Sequence, residues 1–371
     1  MSTDFIAGLS QSLLNNASES IFPTIAPKLS DTANIPDANA SLTWSVSAPP
    51  TFSLAASGSG QTFMVSMPVE LSVTVAGGDP TNSTVGANAS ARATVDGNGV
   101  VRLSVTDINF VTDDPFVNEI LDALKSDIAS RVNSLISAIA IPLGPVNGIT
   151  FAGYALLIDG GNAYAAGGLF SPVAISQKQP PSNGGFNLVL TEPLIQQVVA
   201  NLWWSTVQKT YSASGAVVHL NSYSASVNNG NLTLTLNLSG SYSLGPADWD
   251  ISISPVTATL QVMVDAQRNI RINGGSVSRP SVNITPSNFW AWMATLGGGV
   301  ISSITLAILN DVVGGQIQET IQGQLAQNLL QIPDLSGNFE GFTLQVTPEN
   351  LNITGVGNQI LLTGTASVTA S

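Results

Sequence analysis

The sequence has no cysteine and only one histidine among its 371 residues. Without cysteine, disulfides, thiolate catalysis and cysteine-ligated metals are excluded. Zinc sites need several histidine or cysteine ligands, so they are excluded as well. His219 lies in an alternating segment without a GxSxG turn nearby, and the chain has no glycine-rich phosphate-binding motif. These absences predict a protein that is not an enzyme and needs no metal or cofactor.

Charged side chains are also scarce, at 9% of the residues, against about 25% in ordinary globular domains. The formal net charge is −13, so the basic surface that nucleic acid requires is missing and no nucleic-acid partner is expected. The same deficit argues against electrostatic docking on anionic lipid headgroups. Apolar residues make up 44% of the chain, so any contact with lipid or a membrane must be mainly apolar.

The chain shows no clear targeting or spanning segment. Its start, Met1-Ser2-Thr3-Asp4, lacks a basic region followed by an apolar run, so no signal peptide is expected and the location is left open. No charge occurs between Arg279 and Asp311, but glycine and polar residues interrupt this stretch, whereas a span needs about 20 mainly apolar residues. We predict a buried helix here, with Trp290 and Trp292 packed in the core. Membrane contact of this region is the alternative.

Two long segments have helical periodicity, and both end in the same way. The first covers Pro115–Ala140 and runs into Ile141-Pro142, and the second covers Thr305–Gln331 and runs into Ile332-Pro333. Apolar residues recur in both at steps of three and four. Each half of the chain also begins with a predicted helix. A recurring order of elements predicts a duplicated architecture.

Strands dominate between the helices. The segment Asn231–Gly240 alternates leucine with threonine or asparagine, which is typical of an antiparallel sheet with one wet face. Hairpin turns are predicted at Asp96–Gly99, Asn228–Gly230 and Asn273–Gly275. Periodicity stops in the proline- and serine-rich stretch Ser171–Gly185, so we predict two domains, residues 1–180 and 181–371.

The predicted fold class is α+β. We expect two pseudo-symmetric elongated barrels joined end to end, each a highly twisted antiparallel sheet wrapped on a long helix plus a second helix. Small side chains such as Ala87, Ala89, Ala91 and Ala93 alternate on one strand. Such small residues favour an elongated apolar slot inside the barrel, although a fully packed core is also open at this stage.

The order of elements resembles that of the tubular lipid-binding superfamily, which includes bactericidal/permeability-increasing protein and the plasma lipid-transfer proteins. The resemblance covers nearly the whole chain and rests on four segments: Phe5–Leu29 followed by Ile35-Pro36-Asp37, Phe116–Ala140 followed by IPL and GITF, the sequence FNLVLTEPLIQQVVANLWW, and Ile301–Leu330 followed by Ile332-Pro333. The chain lacks the disulfide of the animal members and the cationic tip of the bactericidal one. Bacterial members, including those of clostridial toxin gene clusters, are the nearer analogy.

The resemblance implies binding of phospholipid or another acyl-chain lipid in one apolar pocket per barrel, and it leaves open whether the lipid is also transferred. The helix positions expected to line these pockets are Leu13, Ile21, Leu121, Leu124, Ile128, Leu135 and Ile136 in the first half, and Leu194, Val198, Leu202, Leu309, Val313, Ile317 and Ile321 in the second. Burial of an acyl chain is favourable by about 0.8 kcal/mol per CH₂, so no charged residue is needed.

Two other functions fit the same sequence. A membrane-active component of a toxin cluster would insert the uncharged residues Ser281–Asn310, making transient membrane contact. A structural protein or assembly partner would have filled barrels and would bind another protein. Only the lipid-binding interpretation requires a lipid or fatty-acyl ligand as the partner.

Overall fold

A computed structural model gives the structure of the chain. It describes residues 3–35, 39–54, 61–75, 77–113, 115, 117–118, 121, 125–126, 129–130, 133, 140–143, 148–175, 178–278, 281–288, 291, 307, 315–316, 319, 330–331, 335–339 and 342–370. Two α-helices of known extent lie in this part of the chain. Helix α1 (Gln11–Ile25) continues into a short 3₁₀ turn, and helix α2 (Glu192–Val199) continues into a π-helix over Ala200–Trp204.

The strands of the described residues pair antiparallel wherever their register is defined. In chain order they are β1 (Phe5–Ser10), β2 (Ser30–Ile35), β3 (Ala40–Val46), β4 (Thr51–Ser53), β5 (Thr62–Val75), β6 (Thr81–Val95), β7 (Val100–Val111), β8 (Ala140–Pro142), β9 (Gly153–Asp159), β10 (Asn162–Gly168), β11 (Gly185–Thr191), β12 (Thr210–Ala213), β13 (Ala216–Asn228), β14 (Asn231–Leu244), β15 (Ala247–Ile253), β16 (Val256–Val264), β17 (Asn269–Val277), β18 (Val282–Pro286), β19 (Leu330–Gln331), β20 (Leu335–Phe339), β21 (Phe342–Val356) and β22 (Gln359–Ala370).

These strands form three sheets. The first sheet has the order β2-β3-β5-β6-β7-β8, with β4 added on β5. The second has the order β12-β13-β14-β16-β17-β19, with β15 added on β14 and β18 added on β15. Each path therefore has six strands and an extra strand on its third member. The third sheet has the order β20-β21-β22-β11-β1-β10-β9. The predicted antiparallel α+β class is confirmed, while the wrapping of each sheet on a long helix stays a prediction.

The chain forms two compact units. The first consists of Met1–Val189, Pro333–Leu351 and Leu362–Ser371, and the second of Leu190–Ile332 and Asn352–Leu361. The first sheet belongs to the first unit and the second sheet to the second. The predicted division into residues 1–180 and 181–371 stays a prediction.

The two sheets use the same turn at one hairpin. Between β6 and β7, Asp96 Oδ1 accepts hydrogen bonds from the amides of Asn98 (2.9 Å) and Val100 (3.0 Å). Between β16 and β17, Asp265 Oδ1 accepts from the amides two and four residues further on, at 2.9 and 2.8 Å. In the first sheet, β7 then pairs with β8, which contains Ile141-Pro142. In the second sheet, β17 pairs with β19, which directly precedes Ile332-Pro333. The aspartate bonds fix the turn because they replace backbone bonds that the loop cannot make.

The start of the chain differs from its prediction. Phe5–Ser10 is strand β1, paired with β10 from Phe5 opposite Gly167 to Ser10 opposite Asn162. Helix α1 begins only at Gln11, because Ser10 is its N-cap and accepts a hydrogen bond from the amide of Leu13 at 3.2 Å. The predicted helix over Phe5–Leu29 is therefore too long at both ends. The second half does match its prediction, since β11 leads through the N-cap residue Thr191 into α2.

The predicted hairpin at Asn273–Gly275 is wrong, whereas those at Asp96–Gly99 and Asn228–Gly230 are confirmed. Residues 273–275 lie inside β17, where the register jumps so that Thr259 faces Ser276 and Gln261 faces Asn273. The extra residues form a β-bulge, which inserts into a strand without reversing it. Gly275 has φ 153°, and a Cβ there would lie 2.6 Å from Leu260 Cδ2, so the position requires glycine.

The core of the first unit lies on one face of the first sheet. On β5 and β6 every second residue is buried, including Val65, Val69 and Leu71 on β5. Hydrogen bonds to residues in and just before β4 hold helix α1 beside this face. Asn15 Oδ1 accepts from the amide of Phe52 at 2.7 Å, and Ser18 Oγ donates to the carbonyl of Pro50 at 2.7 Å.

The predicted long helices lie mostly outside the described residues. The described positions between Pro115 and Asn133 are all helical, namely 115, 117, 118, 121, 125, 126, 129, 130 and 133. Leu121 is fully buried, and Val117 is 5% exposed in the same core. This segment therefore contributes at least these side chains to the interior of the first unit.

Candidate functional site

The first-unit residues predicted to line a pocket face the interior where they are described. Leu13 is 6% exposed and Leu121 is 0% exposed. Ile21 is half-buried and packs against the core cluster of the first unit. Leu124, Ile128, Leu135 and Ile136 lie outside the described residues. The assignment of these positions to a lipid pocket, rather than to a packed core, stays a prediction.

In the second unit, α2 turns two of its predicted residues inward and one outward. Leu194 and Val198 are 1% and 4% exposed, whereas Leu202 is 37% exposed and Trp203 is fully buried. The α-helix changes to a π-helix at Ala200, and a π-turn shifts the inward position from four residues on to five. Trp203 therefore occupies the inward place that α-helical spacing gives to Leu202. Leu309, Val313, Ile317 and Ile321 lie outside the described residues, as do Trp290 and Trp292.

Trp203 is the centre of an aromatic cluster at the end of α2. Its ring meets Trp204 at 5.9 Å and Tyr223 edge-on at 5.8 Å between centroids. Lys209 Nζ lies 3.1 Å from the centroid of the Trp204 ring, which is a cation–π contact. Burial lowers the pKa of Lys209 and raises that of Tyr223. No residue pattern predicts Tyr223, which reaches the inner face because a bulge between Leu220 and Ser222 changes the phase of β13.

A row of alanines is the most distinctive feature of the interior. Ala87, Ala89, Ala91 and Ala93 alternate along β6, and their exposures are 3%, 0%, 0% and 8%. They belong to the core cluster of the first unit, beside Phe63, Val65 and Ile108 of the neighbouring strands. The prediction that this face points inward is confirmed. Four methyl groups in place of larger side chains let whatever packs on this strand come close to the sheet, and in the ligand-free chain these positions are already covered by protein atoms.

An open pocket of about 400 Å³ lies at the β7 edge of the first sheet. Its lining residues come from β7 and from the helical segment after it: Val105, Thr106, Asp107, Ile108, Lys125, Ser126 and Ala129. Lys125 Nζ lies 3.0 Å from Asp107 Oδ1 and 3.1 Å from Asn109 Oδ1. The hydrogen bond from Lys125 lowers the pKa of Asp107, so the two groups form an ion pair at neutral pH.

Other chemistry is sparse in the described residues. Nowhere in this part of the chain do three or more His, Asp or Glu side chains group as metal ligands would. His219 is an exposed strand residue whose Nδ1 lies 3.2 Å from Thr210 Oγ1. Among the helices that the structure describes, none has the length and hydropathy needed to cross a membrane.

Comparison with known proteins gives likenesses of structure only. No family model matches the sequence, and no curated protein sequence matches it either. The crystal structure of P47 of Clostridium botulinum E1 aligns with a TM-score of 0.54 and 12% identity, covering 98% of both chains. The crystal structure of a lipopolysaccharide binding protein aligns with a TM-score of 0.41 and 9% identity, covering 99% of both chains.

The likeness to P47 extends over nearly the full length of both proteins, so local similarity of a single sheet does not explain it. It includes all three sheets of the chain and both compact units. The structural likeness expected from the sequence is therefore confirmed at the level of the fold. The chain has the same fold as P47 of Clostridium botulinum E1.

Proposed function

We propose that the chain binds phospholipid or another acyl-chain lipid in apolar interior space, with one site in each barrel. The alanine row on β6 carries the proposal. Four successive inward positions there hold only a methyl group and yet are at most 8% exposed. An acyl chain that took the place of the present cover would lie directly against these small side chains and bury its CH₂ groups, each favourable by about 0.8 kcal/mol.

The charge distribution supports lipid binding through apolar contact. Asp4 is the one charged residue among the buried side chains of the described residues, with 1% exposure. Its carboxylate accepts a hydrogen bond from the amide of Leu169 in the first unit. The inward faces of β5, β6 and β14 are otherwise aliphatic or aromatic. An interior of this kind holds an acyl chain and excludes a polar metabolite.

The agreement between the first and second sheets supports a site in each half. Both have a main path of six strands with an extra strand on the third, and both have the same aspartate-closed hairpin. The lining differs, however, since leucines occupy the inward face of β14, with Leu232, Leu234 and Leu236 at 0% exposure. The second site would therefore be narrower than the first.

We propose binding rather than catalysis as the activity. General acid–base catalysis needs a titratable group with a tuned pKa within reach of the substrate. Among the described groups with shifted pKa values, Asp107 is held by a salt bridge and Asp265 by turn hydrogen bonds, while burial in the aromatic cluster shifts Lys209 and Tyr223. An assay of hydrolysis on any lipid found bound would test this part of the proposal, and we expect the lipid to be recovered intact.

Lipid extraction from vesicles tests the proposal. Purified protein is stripped of lipid, incubated with neutral phosphatidylcholine vesicles and separated from them by gel filtration. We expect one to two phospholipid molecules per chain in the protein fraction, by mass spectrometry of an organic extract. Protein recovered without lipid would overturn the proposal, and release of a trapped dye from the vesicles would favour a membrane-active protein instead.

A further inference from the structure

The first sheet is open along part of its last long strand. In the described residues, β7 pairs with β8 only over Val100–Arg102. Further along β7, the amide of Val105 donates instead to Asn133 Oδ1 of the helical segment, at 3.0 Å. A side chain thus takes the place of a strand partner, and the pocket of about 400 Å³ lies at this edge.

The pocket shares lining residues with the core of the first unit. Ile108 on its floor is 1% exposed and belongs to the core cluster, and Val105 and Ala129 pack against that cluster. A bulge shapes this floor, because the register of β6 and β7 jumps from Ala91–Val105 to Ser90–Asp107 and leaves Thr106 as the extra residue. The volume lies within the range of about 300–1,000 Å³ that small-molecule sites occupy.

The rim of the pocket carries one charge of each sign. Lys125 and Asp107 are 36% and 49% exposed at their side chains and lie 3.0 Å apart. Thr106 and Ser126 also line the pocket, and the Thr106 hydroxyl donates to the carbonyl of Ser90 at 3.0 Å. The rim is therefore electrically neutral, in a chain with a formal net charge of −13. The field of such a chain opposes a purely anionic group, but it has little effect on a group that carries both charges.

We propose that this pocket is the mouth of the first lipid site and holds a zwitterionic headgroup, with the lipid phosphate on Lys125 and the lipid ammonium on Asp107. The inference rests on the proposed lipid binding and adds the entrance and the headgroup class. On binding, the protein ion pair exchanges for two ion pairs with the ligand, so neither charge is left alone. The acyl chain passes over Ile108 toward the alanine row of β6.

A fluorescent label on the rim tests the proposal. Because the chain has no cysteine, Ser126→Cys gives a single labelling site in the pocket, and Ser130→Cys gives a matched exposed control one helical turn away, outside the lining. The probes share one acyl chain: lysophosphatidylethanolamine with both charges, lysophosphatidic acid with the phosphate only, and a monoacylglycerol with neither. O-phosphoethanolamine, which has no acyl chain, separates binding of the headgroup from binding of the lipid.

We expect lysophosphatidylethanolamine to change the signal at position 126 but not at position 130. It should bind more tightly than the other two lipids by about threefold to fivefold, the range of a partly exposed ion pair. O-phosphoethanolamine should bind much more weakly than the lipid. In the 126-labelled chain, Lys125→Gln should bring both phospholipids to the level of the monoacylglycerol, and Asp107→Asn should move the preference toward lysophosphatidic acid. The charge exchange Asp107→Lys with Lys125→Asp should restore the preference for the zwitterion.

Two results would overturn this assignment while leaving the proposed function intact. One is lipid binding, seen by native mass spectrometry, with no response at position 126. The other is an order of headgroup affinities that the substitutions at Asp107 and Lys125 do not change. If no lipid binds to the unlabelled chain, the proposed function fails as well, and so the two failures can be told apart.

Discussion

Substitution of Ala89 by leucine separates a lipid-filled interior from a solidly packed one. Ala89 is fully buried at the middle of β6, opposite Val65 on one side and Ile108 on the other. The change adds three carbon atoms to a row in which the neighbouring inward residues of β6, Ala87, Ala91 and Ala93, carry only methyl groups. Thr94→Leu is the matched control, since Thr94 is exposed on the opposite face of the same strand.

The two interiors predict opposite changes in stability. In a core packed by the protein's own side chains, three added carbons force neighbours off their rotamers and cost about 1–3 kcal/mol. In a lipid site, the part of the protein that covers Ala89 must be able to move aside for the ligand, so it can also make room for the leucine, and apo stability should fall by less than about 1 kcal/mol. The loss should appear in the lipid-bound form, because a ligand at about 100 times its Kd stabilises the native state by about 2.7 kcal/mol.

Urea unfolding of lipid-free and lipid-loaded protein measures both quantities. We expect the wild-type chain and Thr94→Leu to gain stability on loading, and Ala89→Leu to gain little. An apo Ala89→Leu chain that is destabilised by several kcal/mol, with no effect of lipid on the wild-type chain, would refute the reasoning.

Other predictions concern packing and charge. Leu234→Ala removes a fully buried side chain from β14 and should lower the free energy of unfolding by about 2–5 kcal/mol, while Thr235→Ala on the other face should change it by no more than about 0.5 kcal/mol; urea unfolding measures both. A methyl group at Gly355 would overlap the backbone of Asn229 and Gly230, so Gly355→Ala should cost about 1–3 kcal/mol, whereas Gly97→Ala, which meets nothing within 4 Å, should be nearly neutral. The pKa of Asp107 lies below its usual 3.8 because of the hydrogen bond from Lys125, so the contribution of this pair to stability is present above the unfolded pKa and is lost as the pH falls through the lower folded pKa. NMR titration of the Asp107 carboxyl carbon should show a rise toward 3.8 in Lys125→Gln, and an unchanged titration would contradict the assignment.

The amphipathic pattern of a single strand is local, and the sequence predicts it well. Leu232, Leu234 and Leu236 alternate in the chain and are all buried on one face of β14. The start of the second half is equally clear, since Thr191 and Pro193 mark the beginning of a helix after a strand. These elements could be predicted because the residues that define them are neighbours in sequence.

Features that depend on distant partners could not be predicted in this way. Phe5, Ile6 and Leu9 have the spacing of a helix, but pairing with β10 makes their segment a strand. The glycines at 274 and 275 suggest a turn, but the register of β16 against β17 makes them a bulge. The inward place of Trp203 follows from a π-turn, which no residue spacing announces.

The pocket at the β7 edge was missed for a related reason. Thr106, Asp107 and Lys125 are ordinary surface residues in the sequence, and a salt bridge across the strand and the helix brings them together. Sequence reasoning selected apolar helix positions for the site, and polar residues at the rim carry no periodic signal. Only the bulge at Thr106 brings rim and core together.

A crystal of the chain with a phospholipid that carries bromine on its acyl chain gives the most direct test of lipid binding in the interior. Anomalous scattering locates the bromine without reference to the rest of the ligand. Lipid binding predicts a bromine peak inside the first unit, in front of Ala89 and Ala91. Side chains filling that space, with no bromine inside the unit, would contradict it.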